Sequence, residues 1–309
     1  MRVVWRGPVL DRSPWAASAR AYLAGLAAVG ADVALEPLLW QQGSVLEPER
    51  ELALAEMASR PIDGEGASVQ QVPGRILDPY APGRVRVAVT CLPGAVPGDD
   101  WMVRLRQMDD VWVPDAAQRD ALIAAGLEPR RVTVLPEPVE APAGDPAPLA
   151  LAGLHGTVVL AVLDWASGRG PALVDAWCRA FGPGDDVTLL LHAFSSDGRE
   201  AELGPRVLEA VSAAGHDPER MPDVVLLEES LPAGGMGALY RAADVVAAPT
   251  AGFGRGRDLL EAMAWGRPVI GARAAVGAAL DGDVGWALDV DPRTGAPRVE
   301  DLVEALCDA

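Results

Sequence analysis

The chain has 309 residues, half of them hydrophobic and 23% charged, with a formal net charge of −18 and a pI near 4.5. That length suits roughly two domains of about 150 residues each, and the composition excludes disorder as the default state. So acidic a chain repels phosphate backbones and anionic lipid, which argues against nucleic-acid and membrane-surface partners.

The predicted elements alternate along the chain. Val3–Trp5 reads as a short strand broken by Arg6-Gly7-Pro8, and residues 14–29 carry apolar residues at helical spacing until Gly30. Ala31–Leu35 is the next strand, residues 47–60 a helix, and Arg84–Thr90 and Asp110–Val113 are strands. Asp115–Ala125 is a helix ended by Gly126, and Arg131–Leu135 a strand. Residues 136–150 are Pro-rich, lack periodicity and read as a linker. The alternation then restarts with Gly156–Leu163, a nearly continuous apolar run of the kind found in a sheet covered on both faces. Helices follow at 171–181, 201–214, Gly234–Ala243, Asp258–Trp265 and 299–308. Strands lie between them at Val187–Leu191, Val224–Leu227, Asp244–Ala248 and Pro268–Gly271. The pattern predicts an α/β protein of two doubly wound parallel-sheet domains, 1–145 and 146–309, with the cleft between them as the default ligand site.

Several chemistries are disfavoured by what the sequence holds. There is no Lys and no Asn, so all 26 basic residues are Arg and no lysine amine is available as a Schiff base or phosphate clamp. Cys91, Cys178 and Cys307 are odd in number and far apart, which suits a reducing cytoplasm. His155, His192 and His216 show no metal-ligand spacing, so no metal site is expected. Residues 1–10 read as a strand and not as a leader, and no apolar run is long enough to span a membrane.

The segment with the most chemistry is 249–271, PTAGFGRGRDLLEAMAWGRPVIG. A strand feeds a glycine-rich turn and then a helix start, where backbone N–H groups and the helix dipole suit an anion. Gly252, Gly254 and Gly256 allow close backbone approach, and Glu261 on the first turns can accept hydrogen bonds from ligand hydroxyls. Asp258 works the other way, since a carboxylate there competes for the same N–H groups.

The run Ala243–Ile270 resembles the donor-site signature of family 4 glycosyltransferases, the retaining group with the GT-B fold. The matching residues are Asp244, Pro249, Thr250, Glu261-Ala262-Met263-Ala264, Gly266 and Pro268-Val269-Ile270, with Trp265 where a small residue is usual. Asp110–Val139 resembles the family's strand–helix–strand before the linker, and Val162–Leu191 the start of its second domain. The opening stretch WRGPVLDRSPWAASAR resembles its first glycine loop, with Pro14 where a Gly is usual. In the family, the second Glu of a Glu-x7-Glu motif binds the nucleotide ribose and the first contacts the donor sugar. An Arg-Lys pair at the start of the second domain neutralises the leaving diphosphate. Carried over residue by residue, Glu261 matches the second Glu, Phe253 stands at the first, and the Arg-Lys pair falls on Gly168 and Arg169. The first domain has no His, and Ser68–Pro73, with Gln70 and Gln71, stands where the family often places one near the sugar. Chains of this fold usually finish with a helix that crosses back onto the first domain, and this one ends after residues 299–308.

The resemblance implies two Rossmann-like domains and a retaining transfer from a nucleotide-diphosphate sugar to an unnamed acceptor. It implies Arg169 and Glu261 as catalytic residues, and Gly252, Phe253, Gly254, Arg255, Gly256, Arg257, Leu260 and Glu261 as the donor site. The nucleotide sugar is then a substrate, with no cofactor and no metal required. The alternative, favoured by Phe253 and Gly168, is a non-catalytic relative serving as a binding or partner subunit.

Overall fold

The computed structural model describes residues 1–11, 13–40, 46–92, 97–140, 144, 149, 151–194, 202–228, 231–232, 234–249, 256–276, 280, 284–291 and 296–309. The chain divides into two compact units, Met1–Glu140 and a second holding Ala141–Gly252 and Gly256–Ala309.

The first unit runs β1 (Arg2–Pro8), α1 (Pro14–Ala28), β2 (Asp32–Leu38), α2 (Pro48–Ala58), β3 (Ala67–Gln71), β4 (Val85–Val89), α3 (Asp99–Leu105), β5 (Asp110–Val113), α4 (Ala116–Ala124) and β6 (Val132–Val134). Its sheet is parallel, in the order β2-β1-β3-β4-β5-β6. Local chemistry sets the helix ends: the Ser13 hydroxyl accepts from Ala16 N–H at 3.2 Å and Asp115 from Gln118 N–H at 2.8 Å, each capping its helix.

The second unit runs β7 (Thr157–Asp164), α5 (Gly170–Ala180), β8 (Val187–Phe194), α6 (Leu203–Ala213), β9 (Val224–Leu227), α7 (Gly235–Ala242), β10 (Val245–Ala248), α8 (Arg257–Ala264), β11 (Val269–Ala272), α9 (Arg273–Val276), β12 (Gly285–Leu288) and α10 (Val299–Asp308). Its parallel sheet is ordered β12-β11-β10-β7-β8-β9. Alternate residues of β7 and β8 enter cores on opposite faces. Val159, Ala161, Leu189 and Leu191 pack with Trp177 of α5 and Leu302 of α10, while Val158, Leu160 and Leu190 pack with Leu239 of α7 and Leu259 of α8. This two-sided burial is why Gly156–Leu163 shows no polar alternation.

The structure departs from the sequence reading in places. Arg6-Gly7-Pro8 does not break β1, because Pro8 sits at the strand's end, where a missing N–H costs no interior ladder bond. Strand β3 is absent from the predicted elements because its end, Gln70-Gln71, is polar yet fully buried, each side chain being bonded inside the unit. Helix α3 is too short to show a period, and β12 and α9 are four residues each.

Candidate functional site

In the second unit, β7 and β10 are parallel neighbours from which the chain winds outward in opposite directions, to β8–β9 on one side and β11–β12 on the other. Loops leaving the carboxyl ends of two such strands diverge and open a crevice, the usual ligand position of a doubly wound sheet. Of these, the described part beyond β7 is the loop Trp165–Arg169, and beyond β10 the described residues resume at Gly256, the head of α8.

The first loop is built to present one guanidinium. The Asp164 carboxylate accepts from Ala166 N–H at 3.0 Å and closes a tight turn over Trp165–Ser167. The turn ends on Gly168 at φ +76°, a left-handed conformation that any side chain would strain. A Cβ on Gly170 would lie 2.5 Å from the buried Trp165 ring, so the ring seats against bare backbone. Arg169 lies between these glycines at the head of α5, half-buried. Among the described residues its guanidinium makes no hydrogen bond and no ion pair. Burial lowers its pKa from the ordinary arginine value, opposed by the charges of Asp258 and Asp164. Gly168 is therefore a glycine that the backbone of this turn needs.

Helix α8 opens on Gly256 at φ +61°, with no side-chain cap. Its apolar face, Leu259 and Ala262, packs on β10 and β11, and Gly271 leaves room for this, since a Cβ there would lie 2.4 Å from Leu259 Cδ1. Asp244, in the signature's lead-in, is structural: its carboxylate accepts from Val158 N–H at 2.9 Å, tying β10 to β7. Trp265 is accommodated by Gly237 of α7, whose Cβ would lie 2.6 Å from the indole.

On the second turn of α8 the Glu261 carboxylate is held at both oxygens. Oε1 lies 2.7 Å from Arg257 Nε, and Oε2 accepts from the Tyr240 hydroxyl at 3.1 Å. Arg257 is only 8% exposed, whereas Glu261 keeps 24%. Burial and the nearby Glu261 and Asp258 charges raise the Tyr240 hydroxyl well above 10, so it stays a donor. A carboxylate has about four lone-pair sites, so Glu261 can still accept from a ligand. Asp258, in the first turn, keeps some exposed surface, but its carboxyl is desolvated. Burial pushes it up to about 6, with Glu261 adding to the rise, while the N–H groups of Leu259 and Asp258 and the Arg169 charge pull it down.

Arg169, Asp258 and Glu261 thus form one electrostatic cluster at the β7/β10 crevice. Of the donor residues read from the sequence, Gly256, Arg257, Leu260 and Glu261 lie at the head of α8, with Leu260 partly buried; Gly252, Phe253, Gly254 and Arg255 lie outside the described residues. Tyr240 had no sequence signal, because only the packing of α7 beside α8 brings it to Glu261. Among the described residues no group of three or more His, Cys, Asp or Glu is placed to hold a metal, and no helix is long and apolar enough to cross a membrane.

In the first unit, Gln70 and Gln71 end β3 at the β1/β3 switch point; Gln70 is bonded internally, whereas Gln71 is bonded through Nε2 only and its Oε1 is buried without a partner among the described residues. Gln70 exchanges hydrogen bonds with the Asp78 backbone, and Gln71 donates to Ser18 Oγ at 2.9 Å and Trp15 O at 3.3 Å. The head of α1 is capped by Ser13, whose N–H is held by the buried Asp11 carboxylate at 2.9 Å.

Comparison with known proteins gives a family match over the second unit: residues 184–308 fit the family model described as glycosyl transferases group 1. No curated protein matches the chain. Among solved structures, HepE from Anabaena, in complex with UDP and glucose, superposes with a TM-score of 0.63 at 16% identity, over 100% of this chain and 89% of that one. Sucrose-phosphate synthase from Thermosynechococcus elongatus gives 0.60 at 16% identity, over 99% and 88%. The lipopolysaccharide outer core galactosyltransferase WaaB, in its apo form, gives 0.58 at 12% identity, over 99% and 89%. The fold is GT-B, two Rossmann-like parallel-sheet units in one chain.

Proposed function

Taking residues 184–308 as a glycosyl transferases group 1 domain, we propose that this protein is a cytoplasmic glycosyltransferase that moves a sugar from a nucleotide-diphosphate donor to an acceptor with retention of configuration. The observation that supports the reading is the meeting of Arg169, the head of α8 and Glu261 at the carboxyl ends of β7 and β10. HepE, its structural neighbour, was solved with UDP and glucose. The free thiols Cys91, Cys178 and Cys307 fit a reducing compartment.

In this transfer the bond between the anomeric carbon and the diphosphate oxygen breaks and its electron pair leaves with the diphosphate. The acceptor oxygen bonds the anomeric carbon from the same face and gives up its proton to the departing diphosphate oxygen. The barrier lies in charge separation, so catalysis consists of positioning and of stabilising the departing charge. Arg169 offers a planar fork of donors that matches phosphate oxygens, and the N–H groups of α8 add a positive dipole end. Glu261, locked by Arg257 and Tyr240, presents its remaining lone pairs to the ribose hydroxyls.

Calorimetry with UDP- and GDP-sugars tests the donor site. Glu261→Ala should weaken donor binding by about 1–3 kcal/mol, the usual cost of leaving ligand hydroxyls unpaired. An unchanged affinity refutes the site. Arg169→Ala should lower turnover by roughly 10²–10³, and EDTA should leave turnover unchanged, because charge stabilisation is assigned to Arg169 and α8.

A further inference from the structure

In β8, Leu189, Leu191 and Ala193 enter the core shared with α5 and α10, so Leu190 and His192 face the other side of the sheet, that of α7 and α8. His192 lies near the carboxyl end of the strand. Its register partners are Val162 of β7 and Leu227, the last residue of β9, and both belong to the core of that same face. One nitrogen of the imidazole is committed: Nδ1 lies 3.0 Å from the Leu227 carbonyl oxygen. A carbonyl only accepts, so Nδ1 carries the proton, and Nε2 of the neutral ring is a bare acceptor. Burial holds the pKa of this ring below 6.5, opposed by the bond to Leu227. Among the described residues Nε2 has no partner, and it is not sealed from solvent. We infer that His192 reads the base of the donor, Nε2 accepting a hydrogen bond from the imide N–H of a uracil or a guanine; this step rests on the donor site proposed above.

The base is the part of such a donor that Arg169, α8 and Glu261 leave without a partner. His192 stands opposite Val162, two residues before Asp164, where the turn carrying Arg169 begins. It is thus one strand spacing, about 4.8 Å, and two strand residues, about 7 Å, from that turn, within the span of one nucleotide. It also shares its face of the sheet with α7, whose Tyr240 holds the ribose-assigned Glu261. The flanking side chains, Val162 and Leu227, are apolar and partly exposed, so a flat ring lying there meets hydrocarbon walls and a single acceptor. The bond to Leu227 is not needed to join β8 to β9, which the parallel ladder already does. What it does is fix the tautomer and aim the other nitrogen. A fixed acceptor sorts bases by what they present. Uracil N3 and guanine N1 carry a hydrogen, whereas cytosine N3 and adenine N1 carry a lone pair, which leaves both it and Nε2 desolvated and unpaired.

The test is calorimetry at a single neutral pH with UDP against CDP and GDP against ADP. Within each pair the ribose and diphosphate are the same and only the base differs. For the size of base that the site takes, the imide member should bind about tenfold or more tightly than its partner. Methylating the imide nitrogen, as in N3-methyl-UDP or N1-methyl-GDP, should bring binding down to that of the partner, and this arm needs no variant. His192→Phe keeps a flat ring and removes the acceptor. It should cut the ratio within the pair to below about threefold by weakening the imide member, with the other member bound as by wild type. Equal or reversed affinities within both pairs for wild type, a ratio unchanged in folded His192→Phe, or an equal loss of all four ligands in that variant overturns the inference and leaves the donor site standing. No binding of any of the four by wild type overturns the donor site and the inference with it.

Discussion

Asp258 carries a cost in stability at the scale of one residue. Its folded pKa, about 6, lies above its ordinary 3.8. The folded state therefore binds more protons between these values, so stability falls as pH rises through that window and levels off above about 6. A shift of about two units corresponds to about 3 kcal/mol, and Asp258→Asn should recover about 1–3 kcal/mol of it. Urea denaturation should show the variant more stable at about pH 7.5 and equal to wild type near pH 4. Gly256 sets a second residue-scale expectation. At φ +61°, Gly256→Ala should cost about 1–2 kcal/mol in unfolding free energy and weaken donor binding by tilting the first turn of α8. The competition of Asp258 for the helix head was legible from its place at the helix start. Its desolvation was not, because that depends on what α5 places opposite.

At the scale of elements, the same sheet is pinned at its opposite end. His155, just before β7, bonds Asp186 at 3.1 Å through Nδ1 and Asp223 at 2.6 Å through Nε2, joining the amino ends of β7, β8 and β9. The hydrogen bond to Asp223, then that to Asp186, raises its pKa above 6.5. This staple therefore adds stability at pH values below the unfolded 6.5, and loses it as pH rises through the higher folded value. His155→Gln should flatten that part of the thermal-midpoint profile; a profile identical to wild type would show that the staple contributes nothing. The alternation of strands and helices was readable wherever an element was long and apolar, as with β7 and α5. It was not readable at β3, whose buried glutamines replace apolar contacts with hydrogen bonds, or at β12, too short to show a pattern. Trp265 is an element-scale compensation: the indole in place of a small residue is matched by Gly237 on the adjoining helix.

Across the whole molecule, a net charge of −18 produces self-repulsion that salt screens. Raising ionic strength from about 0.05 M to about 0.5 M should therefore raise the thermal midpoint, because the Debye length falls below about 5 Å. An unchanged midpoint would show that the acidic residues are dispersed enough to be locally balanced.

The sequence by itself determined the two α/β halves and the GT-B likeness, and it put Arg169 and Glu261 forward as site residues, because these follow from hydrophobic period and from a contiguous string of residues. Only the tertiary structure decided what those residues do to one another. Arg257 is committed to Glu261, Tyr240 arrives from a separate helix, and Asp258 faces Arg169 across a gap of nearly ninety positions in the chain. Burial, charge and proton affinity are properties of neighbours in space, and the strand crossover that makes these residues neighbours leaves no mark on the local sequence.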